Sequence, residues 1–281
     1  MNKKPSYIDK KYNFNTGIRS SIIDELPLWS APFGLELLDQ IEYRKSIKVL
    51  DIGFGSGFPL IEIAQRLGRT STVYGIDPWE PSHIRINQKI KFYGLKNVKL
   101  IKGAAENIPL KNNSIDLIVS NNGINNVSDI EKVFKECERI SKKGSQFVAS
   151  INLNRTFEEF YDAFKDSLRK FNMLKELENV YKHIYEKRKP TATFQRYFLN
   201  NGFKVTNSVR KVFTIKYSDE DAFFNHSLIK IGFMSSWEHI INKKDRKRVF
   251  DDVIKSLQKI TKESGHLEMT VPYLIVNSVK L

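Results

Sequence analysis

Cysteine occurs once in these 281 residues, at Cys137. One thiol cannot close a disulfide within the chain, and it falls short of a cysteine-based zinc site. A reducing, cytoplasmic setting is therefore expected. Long apolar runs are missing as well. No stretch approaches the roughly 20 residues that a membrane-spanning helix needs, so no membrane span is expected. No apolar segment follows Met1-Asn2-Lys3-Lys4-Pro5, so no signal peptide is expected. The chain contains no Gly-x-Ser-x-Gly elbow, no Walker loop and no His-Glu-x-x-His, which removes the common hydrolase, nucleotidase and zinc-protease patterns. Acidic residues are short, 32 against 46 Lys and Arg, leaving a formal charge of +14. What remains is 41% hydrophobic and 28% charged. That is too apolar for a disordered chain and too charged for a membrane protein. The length suits one large domain or two modest ones.

The positive charge is scattered. Its densest cluster, Lys243-Lys244-Asp245-Arg246-Lys247-Arg248, opens an amphipathic segment with Val249, Phe250, Val253, Ile254, Leu257 and Ile260 on its apolar side. The spacing favours a solvated helix face over a phosphate-binding patch.

The first thirty residues mix polar and aromatic side chains, among them Tyr7, Tyr12, Phe14 and Trp29. From residue 47 a regular alternation begins. Strands are expected at 47–50, 71–76, 98–101, 115–120 and 146–151, with helices over 59–67 and 79–92. A capping box, Ser128 to Glu131, should open a helix running to about Ile140. Strand and helix repeated in this way predict a doubly wound, mostly parallel α/β sheet of the Rossmann-like type. A second capping box, Thr156 to Glu159, leads into Phe157, Phe160, Tyr161, Phe164, Leu168, Phe171, Leu174, Leu177, Tyr181 and Ile184 at helical spacing. This stripe reads as a helical insertion after the fifth strand, facing either a core or a substrate cavity. Phe203 to Ile215 and Leu274 to Val279 read as two further strands, with two helical segments between them.

The chemistry concentrates in Val49-Leu50-Asp51-Ile52-Gly53-Phe54-Gly55-Ser56-Gly57. A hydrophobic strand ends near an acid, and three alternating glycines lead to a helix. Such glycines permit a tight turn and close approach of a ligand to bare backbone, and the helix start offers free N–H groups. Asp77 ends the next strand, 20 residues beyond Gly57, where an acid accepts ribose hydroxyls. A nicotinamide dinucleotide and another adenosine cofactor both fit so far. The third glycine stands one residue early for the dinucleotide fingerprint, and Asp51 would crowd a pyrophosphate with negative charge. The same carboxylate suits an ammonium or sulfonium group, which favours a cationic adenosine cofactor.

With these residues the chain resembles the class I S-adenosylmethionine (SAM)-dependent methyltransferases, in particular the small-molecule branch similar to the ubiquinone and menaquinone biosynthesis enzymes. The likeness is carried by Val49 to Gly57, by Asp77, by Ile101-Lys102-Gly103-Ala104-Ala105-Glu106-Asn107-Ile108-Pro109 and by Ile115-Asp116-Leu117-Ile118-Val119-Ser120-Asn121. It covers residues 45–155 well and the rest only in outline. It implies SAM as cofactor and S-adenosylhomocysteine as product. Gly53, Gly55 and Gly57 would pass under the methionine portion, with Asp51 near its amino group and Asp77 on the ribose. Pro78 and Trp79 would flank the adenine, and Ala105 and Glu106 lie in the base-binding motif. Ala104 stands where the family usually has a carboxylate for the adenine amine. Asn121 and Asn122 would sit near the reactive methyl, or serve only as turn residues with Gly123.

The expected organisation is an N-terminal lid over 1–45, a SAM-binding core over 46–153, a helical substrate cap over 154–190 and a part completing the sheet over 191–281. The expected partner is a small-molecule acceptor, and a homo-oligomer is left open. No catalytic residue and no metal ligand stands out; His83, His183, His226 and His239 are the histidine candidates for a base. The charge keeps a second class in view, a nucleic-acid-binding protein of the same fold, either an RNA methyltransferase or a silent scaffold. Asn121-Asn122-Gly123-Ile124 lacks the Asn/Asp-Pro-Pro-aromatic run of the enzymes that methylate flipped bases.

Overall fold

A computed structural model describes residues 27–281. Tyr7, Tyr12 and Phe14, assigned above to a lid, lie outside the described residues. Two compact units emerge. Among the described residues, the larger comprises 27–152, 190–211 and 273–281; the smaller comprises 153–189 and 212–272.

The larger unit is built on parallel strands β1 (Lys48–Ile52), β2 (Thr72–Asp77), β3 (Val98–Lys102), β4 (Ile115–Asn121) and β5 (Ser141–Asn152). β6 (Phe203–Tyr217) and β7 (Leu267–Lys280) complete a seven-stranded sheet in the order β3-β2-β1-β4-β5-β7-β6. β1 and β4 are buried almost throughout. Helices cover both faces of a parallel sheet, so its central strands read as continuous apolar runs. Val49 pairs with Val73 on one side and Leu117 on the other. The strand order reverses between β1 and β4, and that is where open α/β sheets bind ligands. β7 runs antiparallel to β5, with Val276 opposite Ala149.

Helices α1 (Pro27–Asp39), α2 (Leu60–Leu67), α3 (Glu80–Phe92), α4 (Ile130–Ile140) and, beyond α5 (Glu158–Lys170) and α6 (Leu174–Lys187) of the smaller unit, α7 (Thr191–Asn200) belong to this unit. The capping box before α4 resolves differently from expectation. Asp129, not Ser128, is the N-cap, its carboxylate accepting the Lys132 N–H.

In the smaller unit the aromatic stripe forms two helices, α5 (Glu158–Lys170) and α6 (Leu174–Lys187). Four helices follow β6 where two segments were expected: α8 (Glu220–Asn225), α9 (Ser227–Gly232), α10 (Met234–Ile240) and α11 (Arg246–Ser264). Phe160, Tyr161 and Phe164 are buried, and Phe160 stacks on Trp237 with ring centroids 3.8 Å apart. Phe164 lies against Phe250 of α11. The first half of the stripe is therefore core, whereas Leu174 and Tyr181 are exposed. The second capping box does not form. Glu159 turns instead to Thr270, accepting both its backbone N–H and its hydroxyl, and Thr156 donates to Leu153 O. The basic cluster opens α11 as a solvated face: Lys247 pairs with Asp251, Arg248 with Asp245 and Arg246 with Glu238. Among the described residues, no helix is long and apolar enough to cross a membrane.

Candidate active site

The site is assembled at the carboxyl ends of β1, β2 and β4. Beyond β1, the Gly53 N–H still donates to Ile76 O of β2, and the chain then turns, with Gly57 N–H donating to Phe54 O. Gly53, Gly55 and Gly57 have φ of +76°, +50° and +111°, a region that L side chains enter at a cost. Their surroundings differ. A Cβ on Gly53 would fall 2.7 Å from Gly123 Cα, and one on Gly57 would touch Ile61 and Ile86. Around Gly55 no atom lies within 4 Å of that position. Bare backbone with open space beside it is what close approach of a ligand requires. Lys89 of α3 steadies the loop by donating to Ser56 O at 2.8 Å.

Asp51, in β1 just before the loop, is fully buried, and neither carboxylate oxygen has a hydrogen-bond partner. Burial, reinforced by the nearby charge of Asp77, pushes its pKa up to about 8. The Leu60 backbone N–H offsets a little of this without completing a hydrogen bond. An orphaned carboxylate in such a place is matched by a cationic donor, so the donor set fits a ligand bearing an ammonium or sulfonium group.

Asp77, also buried, is occupied by backbone. Its Oδ2 accepts Gly55 N–H at 2.9 Å and its Oδ1 accepts Trp79 N–H at 2.8 Å. The acid expected on a ribose thus also binds the glycine loop, and each oxygen keeps a lone pair for a further donor. Pro78 is exposed, and Trp79, half-buried, caps α3. His83 reaches Asp77 O through Nε2 at 2.9 Å and lies edge-on to Phe54.

The two asparagines after β4 do different work. Asn121, buried, accepts the Ser150 hydroxyl at 2.7 Å and donates to Ser30 O of α1 at 3.1 Å. Asn122 adopts φ +57° and accepts from Asn152 N–H and Asn125 Nδ2, which is turn chemistry. Ala105 is buried, and Glu106 accepts the Ser128 and Asp129 N–H groups at 2.8 and 3.1 Å, just ahead of α4. Gly34 escapes the sequence reading, and Gly123 enters it only as a turn residue. A Cβ on Gly123 would sit 2.2 Å from Ile52 O. One on Gly34 would sit 2.1 Å from the Phe58 ring and 2.9 Å from Asn121 Nδ2. A single glycine in a helix or after a strand gives no local sign of such long-range contact. The other histidine candidates lie on the smaller unit: His226 caps α9, and His183 and His239 are on α6 and α10. Among the described residues, no group of three or more His, Cys, Asp or Glu is placed to hold a metal ion.

A seven-stranded sheet in the order β3-β2-β1-β4-β5-β7-β6, parallel over β1 to β5 with β7 antiparallel, and a glycine loop after β1, match the class I methyltransferase fold. Comparison with known proteins agrees: a family profile described as a methyltransferase domain matches residues 44–253, and the chain belongs to that family. It is 34% identical over 110 residues to a demethylmenaquinone methyltransferase of Geobacillus stearothermophilus, covering 39% of this chain and 47% of that one. A relative of the same description from Staphylococcus aureus is 30% identical over 141 residues, covering 50% and 55%. The chain thus spans about half the length of the curated relatives it matches. Among solved structures, the geranyl diphosphate C-methyltransferase of Streptomyces coelicolor superposes with a TM-score of 0.55 at 13% identity, covering 99% of this chain and 89% of that one. That likeness is one of fold.

Proposed function

We propose that this chain transfers a methyl group from SAM to a small, apolar acceptor. The observation that carries the reading is Asp51, a fully buried carboxylate with no partner beside an open glycine loop. In this reading Asp51 meets the amino group of the cofactor. Gly53, Gly55 and Gly57 pass under its methionine portion, and Asp77 takes the ribose with its free lone pairs. Pro78, Trp79, Ala105 and Glu106 border the adenine, and Asn121 and Asn122 border the acceptor side. SAM supplies a methyl on a sulfonium leaving group. The protein's part is to align an acceptor atom in line with that methyl and to exclude water. Residues 1–45 as a lid and 154–190 as a cap would perform the exclusion. A reducing, cytoplasmic setting suits Cys137, which is buried and whose thiol burial pushes upward.

Demethylmenaquinone is the first acceptor to test, because relatives carry that name. SAM and S-adenosylhomocysteine should each raise thermal stability, by about 2.7 kcal/mol at a hundredfold excess over the dissociation constant. Methyl-labelled SAM should then pass its label to the acceptor. No thermal shift with either ligand at millimolar concentration would end this reading, and a shift with NAD alone would replace it by an oxidoreductase.

A further inference from the structure

Asn179, His183 and Lys187 stand four residues apart along α6, on one face of the helix. They line an open surface groove of about 520 Å³ with Ile231, Gly232, Ser235, Ser236, His239 and Ile240 of α9 and α10. That volume suits a small molecule. The lining contains no acidic side chain. Asn179, His183 and Lys187 have no hydrogen-bond or ion-pair partner among the described residues, although ion pairs are common elsewhere on this unit's helices.

A second observation points the same way. Arg188, the next residue along the chain, is only 3% exposed, and its Nε has no partner. Its guanidinium donates to the Tyr161 hydroxyl at 3.2 Å and lies over the Tyr161 and Phe233 rings. No carboxylate pairs with it among the described residues, and a buried cation without a counter-ion is costly. Its charge reaches the pocket: burial, followed by the charges of Arg188 and Lys187, holds His183 down to about 4.

We propose that this pocket of the helical unit binds a small organic oxyanion, one bearing a phosphate or carboxylate group, held by Lys187, His183, Asn179 and the Ser235 hydroxyl in the field of Arg188. Ile231 and Ile240 would border the apolar part of the ligand. The site is independent of the SAM reading, because it rests on none of the residues at the carboxyl ends of β1, β2 and β4.

The test uses the full chain with inorganic pyrophosphate, inorganic phosphate and citrate as probes, titrated by calorimetry at ionic strength matched with chloride. Pyrophosphate and citrate separate a phosphate site from a carboxylate site. Binding of at least one probe is expected, and it should weaken at least about tenfold in Lys187→Gln and in His183→Gln. Lys244→Gln/Lys255→Gln, which removes two cations from the other basic surface of this unit, should bind as wild type. The His183 ring resonances should move to a higher pKa in the presence of the probe. The proposal is overturned if no probe binds beyond chloride. It is equally overturned if the Lys244/Lys255 variant loses as much affinity as Lys187→Gln, which would mark general attraction to a basic surface.

Discussion

Asp77 accepts the Gly55 backbone N–H at 2.9 Å, so the acid that ends β2 holds the glycine loop that follows β1. Cradle and ribose acceptor are therefore one coupled unit. Asp77→Ala releases Gly55 and Trp79 together and removes the acceptor. Hydrogen bonds to a charged group are worth about 1.5–3 kcal/mol each, so SAM affinity should fall roughly tenfold or more while the circular dichroism of the fold persists. Calorimetry returning wild-type affinity would take Asp77 out of the site.

Asp51 gives a signed pH dependence. An acid whose folded-state pKa stands above its unfolded value adds stability that is complete below the unfolded pKa and is lost as pH rises through the folded one. Here that window runs from about 4 to about 8. Asp51→Asn stays neutral throughout. Its stability in urea should gain on wild type as pH rises across the window, by an amount on the order of a few kcal/mol. A cationic group bound beside Asp51 favours the ionised form. SAM affinity of wild type relative to Asp51→Asn should therefore climb between pH 6 and 8, by up to about tenfold per pH unit. A ratio independent of pH would mean that the cation does not meet this carboxylate.

Two glycines should fail in opposite ways. Gly55→Val places a branched side chain in open space at φ +50°, so the main loss should be ligand affinity, with about 1–2 kcal/mol of backbone strain. Gly123→Ala drives a methyl to 2.2 Å from Ile52 O, so β1 and β4 must part. Its melting temperature should drop by more than that of Gly55→Val, and thermal scans with and without SAM would separate the two effects.

Phe160 distinguishes a core from a substrate wall. It is fully buried and stacked on Trp237. Phe160→Ala should cost about 3–5 kcal/mol of stability. A variant that keeps its urea midpoint and loses only acceptor affinity would assign the residue to a substrate surface instead.

The local pattern of the chain determined the parallel strands, the position of the glycine loop and the acids at the ends of β1 and β2. Buried parallel strands write themselves as apolar runs, and positive φ selects glycine, so both leave short-range marks. The helices over 59–67 and from the Ser128 box to about Ile140 were legible from a proline in the first turn and a helix-start signal, although Asp129 is the cap rather than Ser128. The choice of partner was not. Glu159 has the spacing of a capping box yet bonds Thr270, 111 residues away. Glu106 lies in a cofactor motif yet accepts backbone N–H groups ahead of α4. Gly34 and Gly123 are needed only because Phe58 and Ile52 O arrive beside them. Asn179, His183 and Lys187 become a pocket wall only when α9 and α10 supply the opposite side. Sequence spacing sets conformation and periodicity, because these depend on neighbours along the chain. Which donor meets which acceptor depends on desolvation and packing between distant segments, and only the tertiary structure decides it.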